Sequence, residues 1–236
     1  YHAADLAVAM NRMNEALAVY KAAGSVLGQG AIINNLGNAY MALGLYRLAR
    51  RMYRQAIDMA RRTGATRYTT TWNLIQLEAE TGHLEAAQTH LDDYVAQVRA
   101  LGLSAAKPYV TFVQGQFALR RGQPSQALPH FARAMRQLDA GNTEGRMLFL
   151  TETGRAHLEA GDAAAALAAT RRACDLHRAA GFPSVSAIES TDMWWRHSQA
   201  LRACGHQAEA SEALAQAWRF VLASVASLSD EGLRRN

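Results

Sequence analysis

Eight histidines (His2, His83, His90, His130, His157, His177, His197 and His206) and two cysteines, Cys174 and Cys204, are this chain's candidates for metal binding or nucleophilic chemistry. Zinc and catalytic sites need their ligands in tightly spaced sets, and no HExxH, CxxC or paired-histidine helix motif occurs. His83 and His90 stand on different segments. Gly-x-Ser-x-Gly is absent, so no nucleophile elbow is present, and no glycine-rich loop follows a strand to cradle phosphate. The carboxylates Asp92 and Asp93, and Glu78 with Glu80, read as exposed helix positions without a cleft to shift their pKa. The expectation is binding rather than catalysis: no enzyme activity, no metal and no cofactor.

What must position any binding residues is a repeat. Turn residues recur at Asn11, Gly44, Gly82, Gly122, Gly161 and Gly205, at intervals of 33 to 44 residues. Five residues after each lies an alanine: Ala16, Ala49, Ala87, Ala127, Ala166 and Ala210. Four further on stand Tyr20, Tyr53, Leu91, Phe131, Thr170 and Leu214, and three beyond those Ala23, Ala56, Tyr94, Ala134, Ala173 and Ala217. An i, i+4, i+7 stripe is one face of an α-helix. Seven residues before the turns lie Ala4, Gly37, Ile75, Gly115, Gly154 and Ser198, mostly small, which lets two helices approach closely. Each unit is a helical hairpin that cannot bury its apolar face alone, so the units must stack.

The sharpest unit reads Ile33, Leu36-Gly37, Tyr40, Gly44, Tyr46, Ala49, Tyr53 and Ala56. It resembles the tetratricopeptide repeat family, and the resemblance extends over the chain to Ala226. Periods near 40 look like those in the sensor domains of maltose-type bacterial transcription activators and related multi-domain signalling proteins. The resemblance implies an all-α, right-handed superhelical solenoid of about six hairpins, over approximately 1–29, 30–67, 68–107, 108–146, 147–190 and 191–226. Residues 227–236 look like a linker to a following domain, and the chain as a whole looks excised from a larger regulator.

In this family the first helix of each hairpin lines an inner groove. Carried onto this sequence, the groove positions include Asn34, Asn35 and Asn38; Trp72, Asn73 and Gln76; Phe112 and Gln116; Glu152 and Arg155; and Trp195, Arg196, Gln199 and Arg202. Carboxamides offer both a donor and an acceptor, so they can pair with a peptide backbone without reading its sequence. Trp72, Phe112 and Trp195 supply rigid apolar contact or, alternatively, pack between helices. Trp194 reads as core. Asn35 and Asn38 look like the asparagine pair with which peptide-binding members hold a ligand backbone, and Asn34-Asn35 resembles the kinesin light chain version of the repeat. A clamp for a C-terminal carboxylate is not expected, because no Lys or Arg stands at groove positions of the first three units. Arg155, Arg196 and Arg202 would favour an acidic ligand end.

The chain has 236 residues, half of them hydrophobic, and a formal net charge of +5. That composition suits one elongated domain with a continuous core. Only Lys21 and Lys107 among the 25 basic residues are lysine. Several arginines (Arg61, Arg62, Arg136) fall late in predicted helices, where they complement the dipole. Pro108 and Pro183 lie between units, and Pro129 should bend or fray the helix start it occupies. No apolar stretch spans a membrane, and isolated cysteines fit a cytoplasmic protein. A stripe of Leu214, Trp218, Val221, Leu222 and Val225 leaves the C-terminal helix apolar where a cap would be polar. The primary expectation is a protein- or peptide-binding scaffold in a bacterial signalling or transcription protein. The alternatives are a homodimer formed through that stripe, single-stranded nucleic-acid binding (disfavoured by the scatter of the arginines), and a small effector held inside the superhelix.

Overall fold

The computed structural model describes residues 6–65, 68–182 and 190–226, and among them no strand occurs. The chain divides into two compact units, one over 4–104 and one from Ala105 onward. The first contains α1 (Leu6–Ala22), α2 (Val26–Ala42), α3 (Tyr46–Thr63), α4 (Tyr68–Glu80) and α5 (Leu84–Ala100). The second contains α6 (Lys107–Arg120), α7 (Pro124–Gln137), α8 (Thr143–Glu159), α9 (Ala163–Ala179), α10 (Ser190–Ala203) and α11 (Gln207–Ala226). Helices pair as antiparallel hairpins, α2 with α3 and α4 with α5 in the first unit, α6 with α7, α8 with α9 and α10 with α11 in the second.

The turns form as the glycine spacing requires. Gly44 takes φ 70°, which a Cβ would strain. From there its N–H donates to Met41 C=O, and Leu45 N–H donates back to Tyr40 C=O, closing a Schellman cap. The turn expected at Asn11 is absent: α1 runs straight through it. No glycine stands there to adopt the left-handed conformation; the first described residue that does so is Gly24, which ends α1. The described residues therefore hold five complete hairpins preceded by one helix. That helix carries the second-helix residues Ala16 and Tyr20.

In three of the described hairpins, α2–α3, α6–α7 and α8–α9, a glycine of the first helix receives the repeat residue of the second. A Cβ on Gly37 would stand 2.5 Å from the Tyr53 ring, and one on Gly115 would stand 2.6 Å from the Phe131 ring. Gly154 receives the Thr170 methyl in the same way. Tyr53, Leu91 and Phe131 are fully buried, each such side chain stabilising the stack by about 1.5–3 kcal/mol. Successive hairpins share these cores. In the first unit Tyr53 and Ile57 of α3 pack with Leu74 and Leu77 of α4. In the second, Phe149 of α8 stacks on Phe112 of α6, ring centroids 4.3 Å apart.

Pro108 lies in the first turn of α6, where its missing N–H costs nothing. Pro129 does not end or fray its helix; α7 continues from Pro124 to Gln137 with Pro129 inside it. Pro183 and the segment 227–236 lie outside the described residues. Among those residues, no helix is long and apolar enough to cross a membrane.

Candidate functional site

On α2, Asn34 and Asn38 stand one turn apart, beside the buried face of Ile33, Leu36 and Gly37. Because Gly37 has no side chain, the Tyr53 ring lies directly against α2, and the Tyr53 hydroxyl donates to Asn38 Oδ1 at 2.8 Å. Burial pushes the Tyr53 phenol above its ordinary range, so it stays protonated as a donor. From α4, Asn73 Nδ2 donates to Asn38 Oδ1 at 2.9 Å and to Asn34 Oδ1 at 3.1 Å. Asn34 Nδ2 in turn approaches Asn35 Oδ1 at 3.4 Å. Four carboxamides expected from sequence are thus brought together across two successive first helices.

The network fixes which end of each amide is used. Asn38 spends its oxygen on Tyr53 and Asn73, so its NH2 group makes no hydrogen bond among the described residues. Asn73 spends its NH2 group, so its oxygen is likewise without a partner there. One donor and one acceptor are thus left unused on two hydrogen-bonded amides. Asn34 and Asn35 also border a cleft of about 250 Å³, walled by Gly30 and Ala31 of α2 and by Thr63, Thr69 and Thr70. Trp72 is half-buried and packs its ring on Tyr94, centroids 5.3 Å apart. Gln76 is half-buried on the same helix.

In the second unit the expected residues divide. Phe112 does not reach a surface: it is 1% exposed, between Phe131 and Phe149. The whole of α6 from Gly115 to Leu119 is buried, which leaves Gln116 nearly inaccessible. Trp194 is core, as expected, and donates through Nε1 to His177 Nδ1 at 3.0 Å. Trp195 is 39% exposed, with the Arg196 guanidinium stacked 4.4 Å from its ring centroid.

Two of the three arginines expected here, Arg155 and Arg196, already have carboxylates. Arg155 Nε donates to Glu159 Oε1 at 2.8 Å and lies 3.8 Å from Glu152. Arg196 lies 3.3 Å from Asp192 and reaches Gln199 at 3.5 Å. Arg202 is exposed. Burial raises the Glu152 carboxyl above the usual range, against the opposing pull of Arg155. Its Oε2 and Arg196 Nε are both buried without a hydrogen bond.

Two features escaped sequence reasoning. Glu78 is not an exposed carboxylate: it is buried at the end of α4 and held by Arg50 of α3. The second feature is the Tyr53 hydroxyl, which orients Asn38; its place in the repeat marks it only as a packing residue. On α11, Leu214, Trp218 and Leu222 are exposed and Val221 is half-buried, while the Val225 side chain lies outside the described residues. Among the described residues no group of three or more His, Cys, Asp or Glu is placed to hold a metal ion.

Helical hairpins closed by a glycine turn and packed small-on-large define a helical-repeat protein. The chain has the fold of the tetratricopeptide repeat family, and residues 31–63 match its "Tetratricopeptide repeat" model. No curated protein matches the sequence. Among solved structures, NprR in complex with its cognate peptide NprX aligns at TM-score 0.71 and 12% identity, covering 88% of this chain and 61% of that one. BtubC from P. vanneervenii aligns at TM-score 0.63 and 15% identity, covering 93% and 90%. A signal transduction ATPase with numerous domains and a tetratricopeptide repeat sensor, from Pyrococcus horikoshii, aligns at TM-score 0.61 and 15% identity, covering 83% of this chain and 30% of that one. This chain therefore spans about three-fifths of NprR and under a third of the ATPase. At these identities the likeness is one of fold.

Proposed function

We propose that this protein is a non-enzymatic module that binds an extended peptide or protein segment, with Asn34, Asn35, Asn38 and Asn73 holding its backbone. The observation that carries this reading is the Asn73 bridge to Asn34 and Asn38, which leaves Asn38 Nδ2 and Asn73 Oδ1 oriented and unused. A peptide unit presents one acceptor and one donor, the complement of that pair. Gln76 and the open side of Trp72 extend the same face. In the second unit, Trp195, Gln199 and Arg202 are the groups best placed to contact a ligand, since Arg155 and Arg196 already face carboxylates. NprR, whose fold is similar, was solved with a peptide. Service as the sensor or regulatory module of a larger bacterial signalling or transcription protein fits the same reading.

The test is a peptide-array screen followed by titration calorimetry on the best binder. Asn35→Ala with Asn38→Ala should weaken binding at least tenfold, about 1.4 kcal/mol, while helicity by circular dichroism stays unchanged. Equal affinity in the double variant would place the site elsewhere.

A second reading, self-association through α11, is favoured by one comparison inside the fold. Leu214, Trp218 and Val221 occupy the repeat positions that Thr170, Cys174 and His177 hold on α9. On α9 all three are buried, in the layer where α9 packs against α10. On α11 Leu214 and Trp218 are exposed.

A further inference from the structure

The outer side of α3 is rich in arginine. It carries Arg47, Arg50, Arg51, Arg54, Arg61 and Arg62, with Asp58 its sole carboxylate. Ala49, Tyr53, Ala56 and Ile57 turn inward, so the arginines project away from the core. Some of that charge is used: Arg50 binds Glu78 at 2.8 Å, Arg54 lies 3.5 Å from Glu78, and Arg61 lies 3.7 Å from Asp58. Arg47, Arg51 and Arg62 are exposed and make no ion pair among the described residues. Their spacing of four and then eleven residues keeps them on one face of the helix, over a rise of roughly 22 Å.

Two clefts flank α3. The one toward α5, of about 740 Å³, is mixed in charge, with Asp58 and Asp93 set against Arg54 and Arg61. The other, of about 640 Å³, runs against the start of α2 at Val26 and Gln29, and the three unpaired arginines line it together with Arg50 and Arg54. Asp58 is the one acid in its wall.

We infer that this second cleft is a docking surface for an acidic stretch of polypeptide. Its carboxylates pair with Arg47, Arg51 and Arg62, and a neutral or basic residue lies opposite Asp58. The arginine fork matches a carboxylate with two parallel hydrogen bonds. No aromatic side chain lines the cleft, so it lacks the stacking platform that single-stranded nucleic acid uses. Asp58 would repel an unbroken row of phosphates, whereas a polypeptide can vary its charge at that point. The aliphatic lining from Val26 and Met59 and the arginine stems suits side-chain packing beside the ion pairs. This surface lies on a second helix and does not depend on the asparagine site.

The experiment is fluorescence anisotropy with two labelled probes of equal charge, an oligoglutamate peptide and an oligothymidylate. The proteins are the wild type, the triple variant Arg47→Gln, Arg51→Gln, Arg62→Gln, and a control, Arg133→Gln, Arg136→Gln, Arg172→Gln, which loses the same charge elsewhere. Oligoglutamate should bind the wild type, weaken about tenfold in the triple variant and change less than about twofold in the control. Arg51→Gln alone should weaken it by about threefold, a readout that a folding defect in the triple variant does not remove. Absence of oligoglutamate binding, equal loss in the control, or tighter binding of oligothymidylate would each overturn the inference.

Discussion

The Arg50 guanidinium grips the Glu78 carboxylate twice, Nε to Oε1 and Nη2 to Oε2, both at 2.8 Å, across the joint between two successive hairpins. The same Nη2 donates to Thr81 Oγ1 at 2.8 Å. Glu78 is 2% exposed, so its charge needs such partners, and Arg50 is the nearest of them. Arg50→Met is therefore expected to destabilise the protein by up to about 3–5 kcal/mol, because it removes both close hydrogen bonds to a buried carboxylate and leaves it only Arg54 and His83, each 3.5 Å away. Adding Glu78→Leu should recover most of that loss, since an apolar pair avoids the desolvation cost. Urea denaturation of the two variants checks it; a double variant no more stable than Arg50→Met would contradict the account.

That ion pair also marks a limit of the sequence. Turn glycines and the Gly37–Tyr53 register are local signals with a fixed repeat spacing, so the hairpins can be read directly. Glu78 sits in the run Leu77-Glu78-Ala79-Glu80, which looks like an exposed face. Its burial depends on Arg50, 28 residues earlier, and no periodicity links the two. Asn34, Asn38 and Asn73 were placed on neighbouring first helices by the repeat, but which atoms they would leave free depends on Tyr53. Phe112 shares the repeat position of Asn34 and yet is core, because Phe131 and Phe149 close over it. The absent turn at Asn11 has the opposite origin: the alanine and tyrosine register is present there without the glycine that would break the helix.

Gly37 tests the small-on-large packing. Alanine is favoured over glycine in a helix interior by about 1 kcal/mol. Here the new Cβ would stand 2.5 Å from the Tyr53 ring, and overpacking costs about 1–3 kcal/mol. Gly37→Ala should therefore lower the thermal midpoint, and Gly115→Ala should do the same against Phe131. Gly30→Ala, on the same helix with nothing near its Cβ, should raise it. If all three substitutions stabilised the protein, the close approach would be refuted.

His197 gives the fold a pH dependence with a definite sign. It is buried, 3.0 Å from Thr170 Oγ1, and burial lowers its pKa to about 4, helped by Arg171 and Arg178 and opposed by Asp175 and Glu209. Between the ordinary histidine value of about 6.5 and about 4 the unfolded chain binds the proton and the folded chain does not, so stability falls as pH falls through that window. The contribution is at most about 3 kcal/mol. His90, also lowered by burial, acts in the same direction, whereas the raised Glu152 carboxyl acts oppositely. His197→Gln should lose less stability than the wild type between pH 6.5 and 4 in parallel urea titrations. Identical slopes would show that His197 titrates normally.

The exposed row on α11 makes the last prediction. Trp218 is 60% exposed, with Leu214 and Leu222 one turn to either side. Three large apolar side chains in line present a surface that favours burial, roughly 25 cal/mol for each Å² removed from water. If a second copy covers it, light scattering coupled to size exclusion gives a dimer, and Val221→Asp dissociates it by placing a charge in the contact. Trp218→Ala should weaken the dimer at least tenfold, since a central tryptophan carries a large share of such a contact. The Asn38 and Asn73 network lies on other helices, so peptide affinity should survive both substitutions. A wild-type protein that runs as a monomer at every concentration would exclude α11 as a self-association face.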